Sequence, residues 1–293
     1  MKRTIFSKKK ILHFVFILSL IILSFYFFHK IANFIRDKQA VIVVLSPHLD
    51  DAVFSLGGLL GKPGQELLVA TFFTQRSAKV VHTEWDRISG FSDSDQAIYE
   101  RQRENNSTLS LYKATIRNYD YADFQYRKGN EDGKIKNKII ADIKSIMRSY
   151  GNRNLFIYGP ATFGGVITHP DHKIVHQAMM SVARENNMSN IHFFIYEDFP
   201  YVRRFSLEGF GNLGVYLHKK YNINFLEVAI ELDKRELEGI IINMYGYTSQ
   251  IKAFRSLGAN MEDSVGKFYR SRCKSLLKEA YACEVVYEIM PVN

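Results

Sequence analysis

The feature that most constrains the fold is an apolar run, Val41–Ser46, that ends in the segment Pro47-His48-Leu49-Asp50-Asp51. The run lacks polar alternation and precedes a helical pattern, so it predicts a buried strand of a parallel sheet followed by a helix. Sites of α/β proteins form at the carboxyl ends of such strands. The imidazole of His48 and the carboxylates of Asp50 and Asp51 are therefore predicted to belong to a functional site.

A second cluster of the same residue types, His169-Pro170-Asp171-His172, lies far along the chain. His48 and Asp51 are three residues apart, so their side chains can converge in a first helical turn, and His172 is predicted to begin a later helix. Two imidazoles and one carboxylate around an open position form the ligand set of catalytic zinc sites, and iron(II) also suits it. The pattern predicts His48, Asp51 and His172 as ligands of one divalent metal ion.

The neighbours of these ligands are candidates for catalysis. Asp50 is predicted to point away from the ion and to act as a general base toward water. His169, one turn or less from His172, is predicted to be protonated and to stabilise an oxyanion, with Asp171 holding its ring in place. This set of residues indicates a metal-dependent hydrolase.

The charge of the chain is unevenly distributed. Residues 1–38 contain eight of the 39 Lys and Arg residues and a single acid, Asp37, so they hold seven of the nine net positive charges. The remainder is nearly neutral, which argues against nucleic acid as a partner. The basic residues accompany a membrane signal instead.

That signal is the apolar segment Ile11–Phe28. As a helix it would rise about 27 Å, enough for a hydrocarbon core. Lys8-Lys9-Lys10 predict a cytoplasmic N-terminus and an extracytoplasmic catalytic part, although basic residues on the far flank leave a cytosol-facing domain open. No small-residue cleavage site follows, so an uncleaved single-pass anchor is predicted over a cleaved signal peptide. We expect residues 1–38 to form the basic flank, anchor and linker, and residues 39–293 to form one catalytic domain.

The sequence contains two cysteines, Cys273 and Cys283. Their spacing is too wide for a zinc-finger or redox pair, so neither is a site candidate. Two buried thiols and, in an oxidising compartment, a disulfide both remain open.

Apolar strands alternate with amphipathic helices after residue 39, which predicts an α/β fold with a mostly parallel sheet covered by helices on both faces. The predicted strands are Val41–Ser46, Leu67–Thr74, Ala114–Asn118, Leu155–Tyr158 and Asn190–Tyr196. The predicted helices are Asp51–Leu60, Gln96–Tyr112, Lys134–Tyr150, His172–Asn186, Asp233–Tyr245 and Asp263–Tyr281. The polar stretch from Gln75 to Asp95 is predicted to be a long loop that serves or covers a site. The last third of the chain is predicted to wrap around the sheet.

These motifs, in this order, resemble the LmbE-like or PIG-L family of N-acetylglucosaminyl deacetylases. The resemblance rests on Pro-His-Leu-Asp-Asp followed by Gly57-Gly58, and on the later His-Pro-Asp-His. Matches that are weak singly and useful jointly are Arg101-Gln102-Arg103-Glu104-Asn105, Asp120-Tyr121-Ala122-Asp123, Tyr196-Glu197-Asp198-Phe199-Pro200-Tyr201 and Tyr247-Thr248-Ser249-Gln250. The resemblance extends from about residue 41 to residue 284.

The resemblance implies a Rossmann-like α/β fold, one Zn²⁺ or Fe²⁺ ion, and the ligand and catalytic roles assigned above. It also implies that Arg101 or Arg103, together with Asp123, contacts sugar hydroxyls. Two positions depart from the family pattern. The usual Pro between the first His and Asp is Leu49 here, and an acid that often follows the Asp pair is Ala52. Neither departure removes a ligand.

The combined hypothesis is a membrane-anchored, zinc-dependent N-deacetylase that removes the acetyl group from a GlcNAc-type amino sugar, within a glycan or glycolipid. A metal-dependent phosphoesterase is one alternative, although such enzymes commonly use two ions and need more bridging carboxylates. A catalytically inactive glycan-binding protein is another. The intact Asp50 argues against it, because a binder has no use for a base.

Overall fold

The computed structural model describes residues 40–290 apart from 77–78, 128, 130, 163–167, 203–212 and 278. The predicted transmembrane segment Ile11–Phe28 and its flanks lie outside the described residues. Within the part that is described, no helix combines the length and the apolar character needed to cross a membrane.

The strands and helices alternate through the first two thirds of the described chain. The strands are β1 (Val41–Ser46), β2 (Glu66–Thr71), β3 (Thr115–Asn118), β4 (Leu155–Pro160), β5 (Ile191–Tyr196), β6 (Phe225–Leu232) and β7 (Ala282–Ile289). The helices are α1 (Asp51–Gly61), α2 (Glu84–Ser89), α3 (Ser94–Leu111), α4 (Asp132–Tyr150), α5 (Pro170–Glu185), α6 (Leu213–Tyr221), α7 (Lys234–Met244), α8 (Thr248–Ser256) and α9 (Met261–Leu276). A short 3-10 turn, Phe124–Tyr126, follows β3.

All of these strands belong to one sheet with the order β3-β2-β1-β4-β5-β7-β6. Strands β1 to β5 are parallel, whereas β7 runs antiparallel to both β5 and β6. Because parallel crossovers are right-handed, α1 and α4 cover opposite faces; α4 packs against α5 and α1 packs against α7. The predicted α/β fold with a mostly parallel sheet and helices on both faces is confirmed.

Two parts of the chain differ from the sequence prediction. The last third does not only wrap around the sheet, because β6 and β7 extend it. Acidic residues such as Glu227 and Glu284 interrupt the apolar pattern of these strands and conceal it in the sequence. The polar stretch between Gln75 and Asp95 also contains the short helix α2, which Thr83 caps by accepting a hydrogen bond from the backbone N–H of Asp86.

The sheet creates a crevice at the end of β1. The chain leaves β1 toward β2 on one side and later returns to β4 on the other side, so the carboxyl ends of β1 and β4 border the topological switch point. Strand β1 is buried along its whole length. Burial of each large apolar side chain contributes about 1.5–3 kcal/mol, which fixes the strand from which the first cluster emerges.

Candidate active site

The first cluster is shaped by hydrogen bonds within the turn that joins β1 to α1. The Ser46 hydroxyl donates to the carbonyl of His48 (2.6 Å) and accepts from the backbone N–H of Ala52 (3.1 Å). The backbone N–H of His48 donates to Oδ2 of Asp51 (2.7 Å). These hydrogen bonds within residues 46–52 stabilise the turn, and they hold the side chains of His48 and Asp51 on the same side of it.

The second cluster lies at the start of helix α5, the next described element after β4. His169 is the N-cap residue, and its Nδ1 accepts a hydrogen bond from the backbone N–H of Asp171 (3.3 Å). Pro170 occupies the first helical position, where its fixed φ suits the helix and its missing N–H costs nothing. His172 follows in the first turn with its side chain fully buried. The His169 cap and Pro170 fix the start of the helix, and thereby the position of the His172 imidazole.

The two clusters meet at three ligand atoms. Nδ1 of His48 lies 3.1 Å from Nε2 of His172. Oδ2 of Asp51 lies 3.4 Å from that His48 nitrogen and 3.2 Å from that His172 nitrogen. Donors bound tetrahedrally at about 2.0–2.1 Å from zinc lie about 3.3–3.4 Å from one another. The two nitrogens and the carboxylate oxygen therefore fit a single small divalent ion, and the structure brings together the three predicted ligands.

Charge at these three residues depends strongly on their mutual contacts. Burial opposes protonation of His48, but the carboxylates of Asp123, Asp171 and Asp51 outweigh it and raise its pKa to about 10. Burial likewise opposes ionisation of Asp51, but the His172 and His48 rings lower its pKa well below the usual value. The pKa of His172 is raised despite burial by Asp198 and Asp51. The crevice thus stabilises positive charge at the place where the ligand atoms converge.

In each ligand imidazole, a carboxylate lies next to the ring nitrogen that does not face the other ligands. Nε2 of His48 lies 3.1 Å from Oδ2 of Asp171, and Nδ1 of His172 lies 2.5 Å from Oδ2 of Asp198. Such partners fix the orientation of a metal-binding imidazole and increase its basicity. Asp198 is not among the residues for which the sequence predicts a role in the site. Its position at the carboxyl end of β5, next to β4, was the available signal.

Asp171 supports a different imidazole from the one that the sequence predicts. The sequence interpretation paired it with His169, but its Oδ2 lies 3.8 Å from Nδ1 of His169 and closer, at 3.1 Å, to the His48 ring. The Arg127 guanidinium donates to its other oxygen (2.5 Å), and the backbone N–H of Phe124 donates to Oδ2 (2.9 Å). Asp171 is therefore a fully buried support for the His48 imidazole.

Asp50 lies beside the ligands with a partner of its own. Nη2 of Arg101 donates to its Oδ1 (3.0 Å), and both side chains are buried. Burial raises the pKa of Asp50 despite the Arg101 guanidinium, and Asp51 adds to the rise. Of the two arginines predicted to contact substrate, the structure brings Arg101 into the site. Arg103 instead pairs with Glu100 on the exposed face of α3.

His169 lies at the mouth of the crevice. Its ring is perpendicular to that of His48, with centroids 4.7 Å apart, and about a quarter of its side chain is exposed. Burial, together with the His48 and His172 rings, lowers the pKa of His169 to about 3. The environment therefore favours a neutral imidazole, contrary to the predicted protonated form. Because Nδ1 accepts from the backbone, the proton is assigned to Nε2.

Asp123 faces the site from the loop after β3. It is buried and caps the 3-10 turn by accepting from the N–H of Gln125 (3.0 Å). Its Oδ2 lies 3.5 Å from Nε2 of His48. The side chain thus shapes the turn and contributes negative charge beside the His48 ring, and its predicted contact with a sugar remains a prediction.

Comparison with known proteins agrees with the motifs. The model of the PIG-L family, described as GlcNAc-PI de-N-acetylase, matches residues 43–183, a range that contains both clusters. A 2'-N-acetylparomamine deacetylase of Streptomyces fradiae is 27% identical over 180 residues, which are 57% of this chain and 59% of that protein. The chain therefore matches less than two thirds of that relative.

Solved structures share the fold. The zinc-inhibited form of teicoplanin deacetylase superposes with a TM-score of 0.69 at 19% identity, covering 86% of this chain and 99% of that one. N,N'-diacetylchitobiose deacetylase from Pyrococcus horikoshii gives a TM-score of 0.56 at 16% identity, covering 86% and 84%. At these identities the superpositions establish the fold alone, while the family match confirms the resemblance based on the two motifs. Residues 43–183 of the chain thus match the model of the PIG-L (LmbE-like) family.

Proposed function

We propose that this protein is a metal-dependent N-deacetylase that hydrolyses the acetamide of an N-acetylated amino sugar. One observation carries the proposal: Nδ1 of His48, Oδ2 of Asp51 and Nε2 of His172 converge within 3.1–3.4 Å, next to the buried carboxylate of Asp50. The family of the domain and the deacetylases among its relatives support this choice of reaction.

His48, Asp51 and His172 would hold the ion. Zinc fits this donor set, and ferrous iron is the alternative. A bound divalent ion supplies Lewis acidity, which lowers the pKa of water and stabilises negative charge on an acyl oxygen. The carboxylates of Asp171 and Asp198 are already hydrogen-bonded to the outer nitrogens of the two imidazoles, which favours one ion over two.

Asp50 would accept the proton of the attacking water and return it to the leaving amine. The Arg101 guanidinium fixes the direction of this carboxylate. Burial raises the pKa of this carboxyl group, which favours uptake of a proton from water.

His169 would stabilise the tetrahedral intermediate as a hydrogen-bond donor. A neutral imidazole whose Nδ1 accepts from the chain presents its Nε2–H to the open side of the site. Pre-oriented donors of this kind stabilise developing negative charge without reorganising during the reaction.

A membrane-associated substrate, either a surface glycan or a lipid-linked sugar, is part of the same proposal. The apolar segment Ile11–Phe28 and its basic flank support an anchor with the catalytic domain on the extracytoplasmic side. The disulfide between Cys273 and Cys283 supports an oxidising compartment. Protease added outside intact cells should digest the domain, and protection until the membrane is opened would contradict this placement.

The decisive test compares Asp50→Asn with Asp51→Asn in the detergent-solubilised full chain, using acetate release from N-acetylglucosamine-containing glycans and metal content. Asp50→Asn should keep its metal and lose turnover, whereas Asp51→Asn should lose both. Asp95→Asn serves as control and should change neither, because the half-buried Asp95 pairs with Arg76 at the start of α3. Loss of metal in Asp50→Asn would mean that the two adjacent aspartates are assigned in the wrong order.

The alternative functions are tested with the same protein. Hydrolysis of a generic phosphate ester without acetate release would favour the phosphoesterase. Glycan binding that Asp50→Asn leaves unchanged, with no turnover by either protein, would favour the binding module.

A further inference from the structure

Helix α1, which begins at Asp51, is interrupted in its middle. Leu56 has non-helical backbone angles (φ −134°, ψ 24°), so the helix consists of two short halves that meet at a kink. In a regular helix the N–H of Gly58 would donate to the carbonyl of Phe54. At a kink these groups need other partners, because a buried backbone group without a hydrogen bond costs about 1–3 kcal/mol.

The partners come from the last third of the chain. The Glu284 carboxylate on β7 accepts from the backbone N–H of Gly58 (2.5 Å) and of Leu59 (2.8 Å). The Tyr269 hydroxyl on α9 donates to the carbonyl of Phe54 (2.9 Å). Glu284 and Tyr269 are almost completely buried. The two side chains thus satisfy backbone groups on both sides of the kink.

A disulfide joins the two elements that carry these side chains. Cys273 lies one helical turn after Tyr269, and Cys283 directly precedes Glu284. The Cys273–Cys283 bond holds the two Cα atoms 5.1 Å apart, with both residues buried. The spacing between the Tyr269 hydroxyl and the Glu284 carboxylate is therefore covalently restrained.

The disulfide also lies next to a second connection to the site. Arg272, next to Cys273, donates from Nε to Glu197 (2.9 Å) and from Nη2 to the Tyr287 hydroxyl (3.0 Å). Glu197 directly precedes Asp198, whose carboxylate holds the His172 imidazole. The first connection leads to the helix of Asp51, and the second leads to His172.

We propose that Tyr269, Glu284 and Arg272 form a clamp that positions the helix of Asp51 and the imidazole of His172 relative to each other. The Cys273–Cys283 disulfide holds the elements that carry these three clamp residues together. The proposal rests on the proposed function, because the site that is positioned is the proposed metal site. The three clamp residues are positioning residues, since none of them contacts the ligand atoms directly.

The test uses the full chain with Cys273→Ala/Cys283→Ala as one variant and Tyr269→Phe as a second. Val265→Ala is the control, because Val265 is buried on the same helix one turn before Tyr269 and its side chain has no hydrogen-bonding group. The first readout is amide hydrogen exchange of peptides covering residues 54–59, measured without metal. Both test variants should accelerate this exchange by about 10-fold or more, whereas the control should leave it within about threefold of the wild-type rate.

The second readout is the affinity for Zn²⁺ alone, measured by competition with a chromophoric chelator. Loss of an outer support typically weakens metal binding by about 10- to 100-fold, so the test variants should bind zinc at least about 10-fold more weakly than the control. Tyr269→Phe retains the ring and the disulfide, so it keeps the test decisive if the double variant does not fold.

Equal hydrogen exchange at 54–59 in Tyr269→Phe, the control and the wild type would overturn the clamp, whatever the activity. Accelerated exchange with zinc affinity unchanged would overturn its link to the metal site. Failure of the proposed function is separate, since it would appear as a wild-type chain that binds zinc and releases no acetate.

Discussion

Asp50 and Arg101 form a pair in which the arginine acts through the carboxylate. The guanidinium, which lies on α3, donates to Oδ1 of Asp50. Misplacement of a catalytic group by about 1 Å can cost about 100-fold in rate. The contribution of Arg101 should therefore appear in turnover, and metal binding should not depend on it.

Arg101→Gln is accordingly expected to lower kcat by about 10- to 100-fold with unchanged metal content. Arg103→Gln provides the matched control, because Arg103 lies two residues away on the exposed face of the same helix. Steady-state kinetics and metal analysis of both variants check this. Similar kcat values for the two variants would contradict the assignment of Arg101 to Asp50.

Asp198 is the second residue whose role depends on a single contact. Asp198→Asn replaces the carboxylate behind His172 by an amide, so zinc affinity should fall by about 10- to 100-fold. Chelator competition measures this, with Asp95→Asn as a control for the loss of one negative charge. If Asp198→Asn bound zinc as tightly as the control, the hydrogen bond between Asp198 and the His172 imidazole would not contribute to zinc affinity.

At the scale of elements, strands and helices with a strong apolar pattern were predictable. Strand β1 and helix α1 were expected within one residue of their observed ends, because an apolar run followed by a helical pattern allows few alternatives. Strands β6 and β7 were missed because acidic residues interrupt them. One of these residues, Glu284, is buried against the backbone of α1, and a sequence pattern cannot reveal a partner so far away.

The same distance in sequence explains what could be predicted of the site. His48, Asp51 and His172 form local motifs with ligand spacing, so they were accessible from the sequence. The support of His48 by Asp171, and the neutral form of His169, depend on how two remote loops pack. Neither feature has a local signature.

The contact between β7 and α1 predicts a pH dependence. Burial raises the pKa of Glu284 to about 7, although the Gly58 and Leu59 N–H groups and Lys62 oppose the rise. In this window the native state binds a proton that the unfolded chain has released, so this group lowers the unfolding free energy as pH rises from about 4.5 to 7. The slope contributed is at most about 1.4 kcal/mol per pH unit.

Glu284→Gln should remove this part of the slope. Denaturant unfolding of wild type and variant between pH 5 and 7 measures the difference between their slopes, and groups common to both cancel. Groups near Glu284 that remain in both proteins include Lys62, Glu236, Tyr112 and the buried Tyr158 and Tyr269. Parallel curves for the two proteins would show that the carboxyl group titrates as it does in the unfolded chain.

At the scale of the whole molecule, the topology explains why distant motifs form one site. The sheet reverses its strand order between β1 and β4, so the carboxyl ends of these strands border the same crevice. The antiparallel β7 and helix α9 do not enter this crevice: Glu284 contacts the backbone of α1, and Arg272 contacts Glu197. The ligands thus come from the first and middle parts of the described chain, and the last part contacts the elements that carry them.

The most direct test of this account is the position of a bound zinc ion in a crystal of the protein, located by anomalous scattering. We expect a single peak about 2.0–2.2 Å from Nδ1 of His48, Oδ2 of Asp51 and Nε2 of His172. A peak held instead by Asp51, His172 and Asp198, another group of ligand atoms that converges in this crevice, would contradict the assignment. So would the absence of zinc from the crevice at saturating concentration.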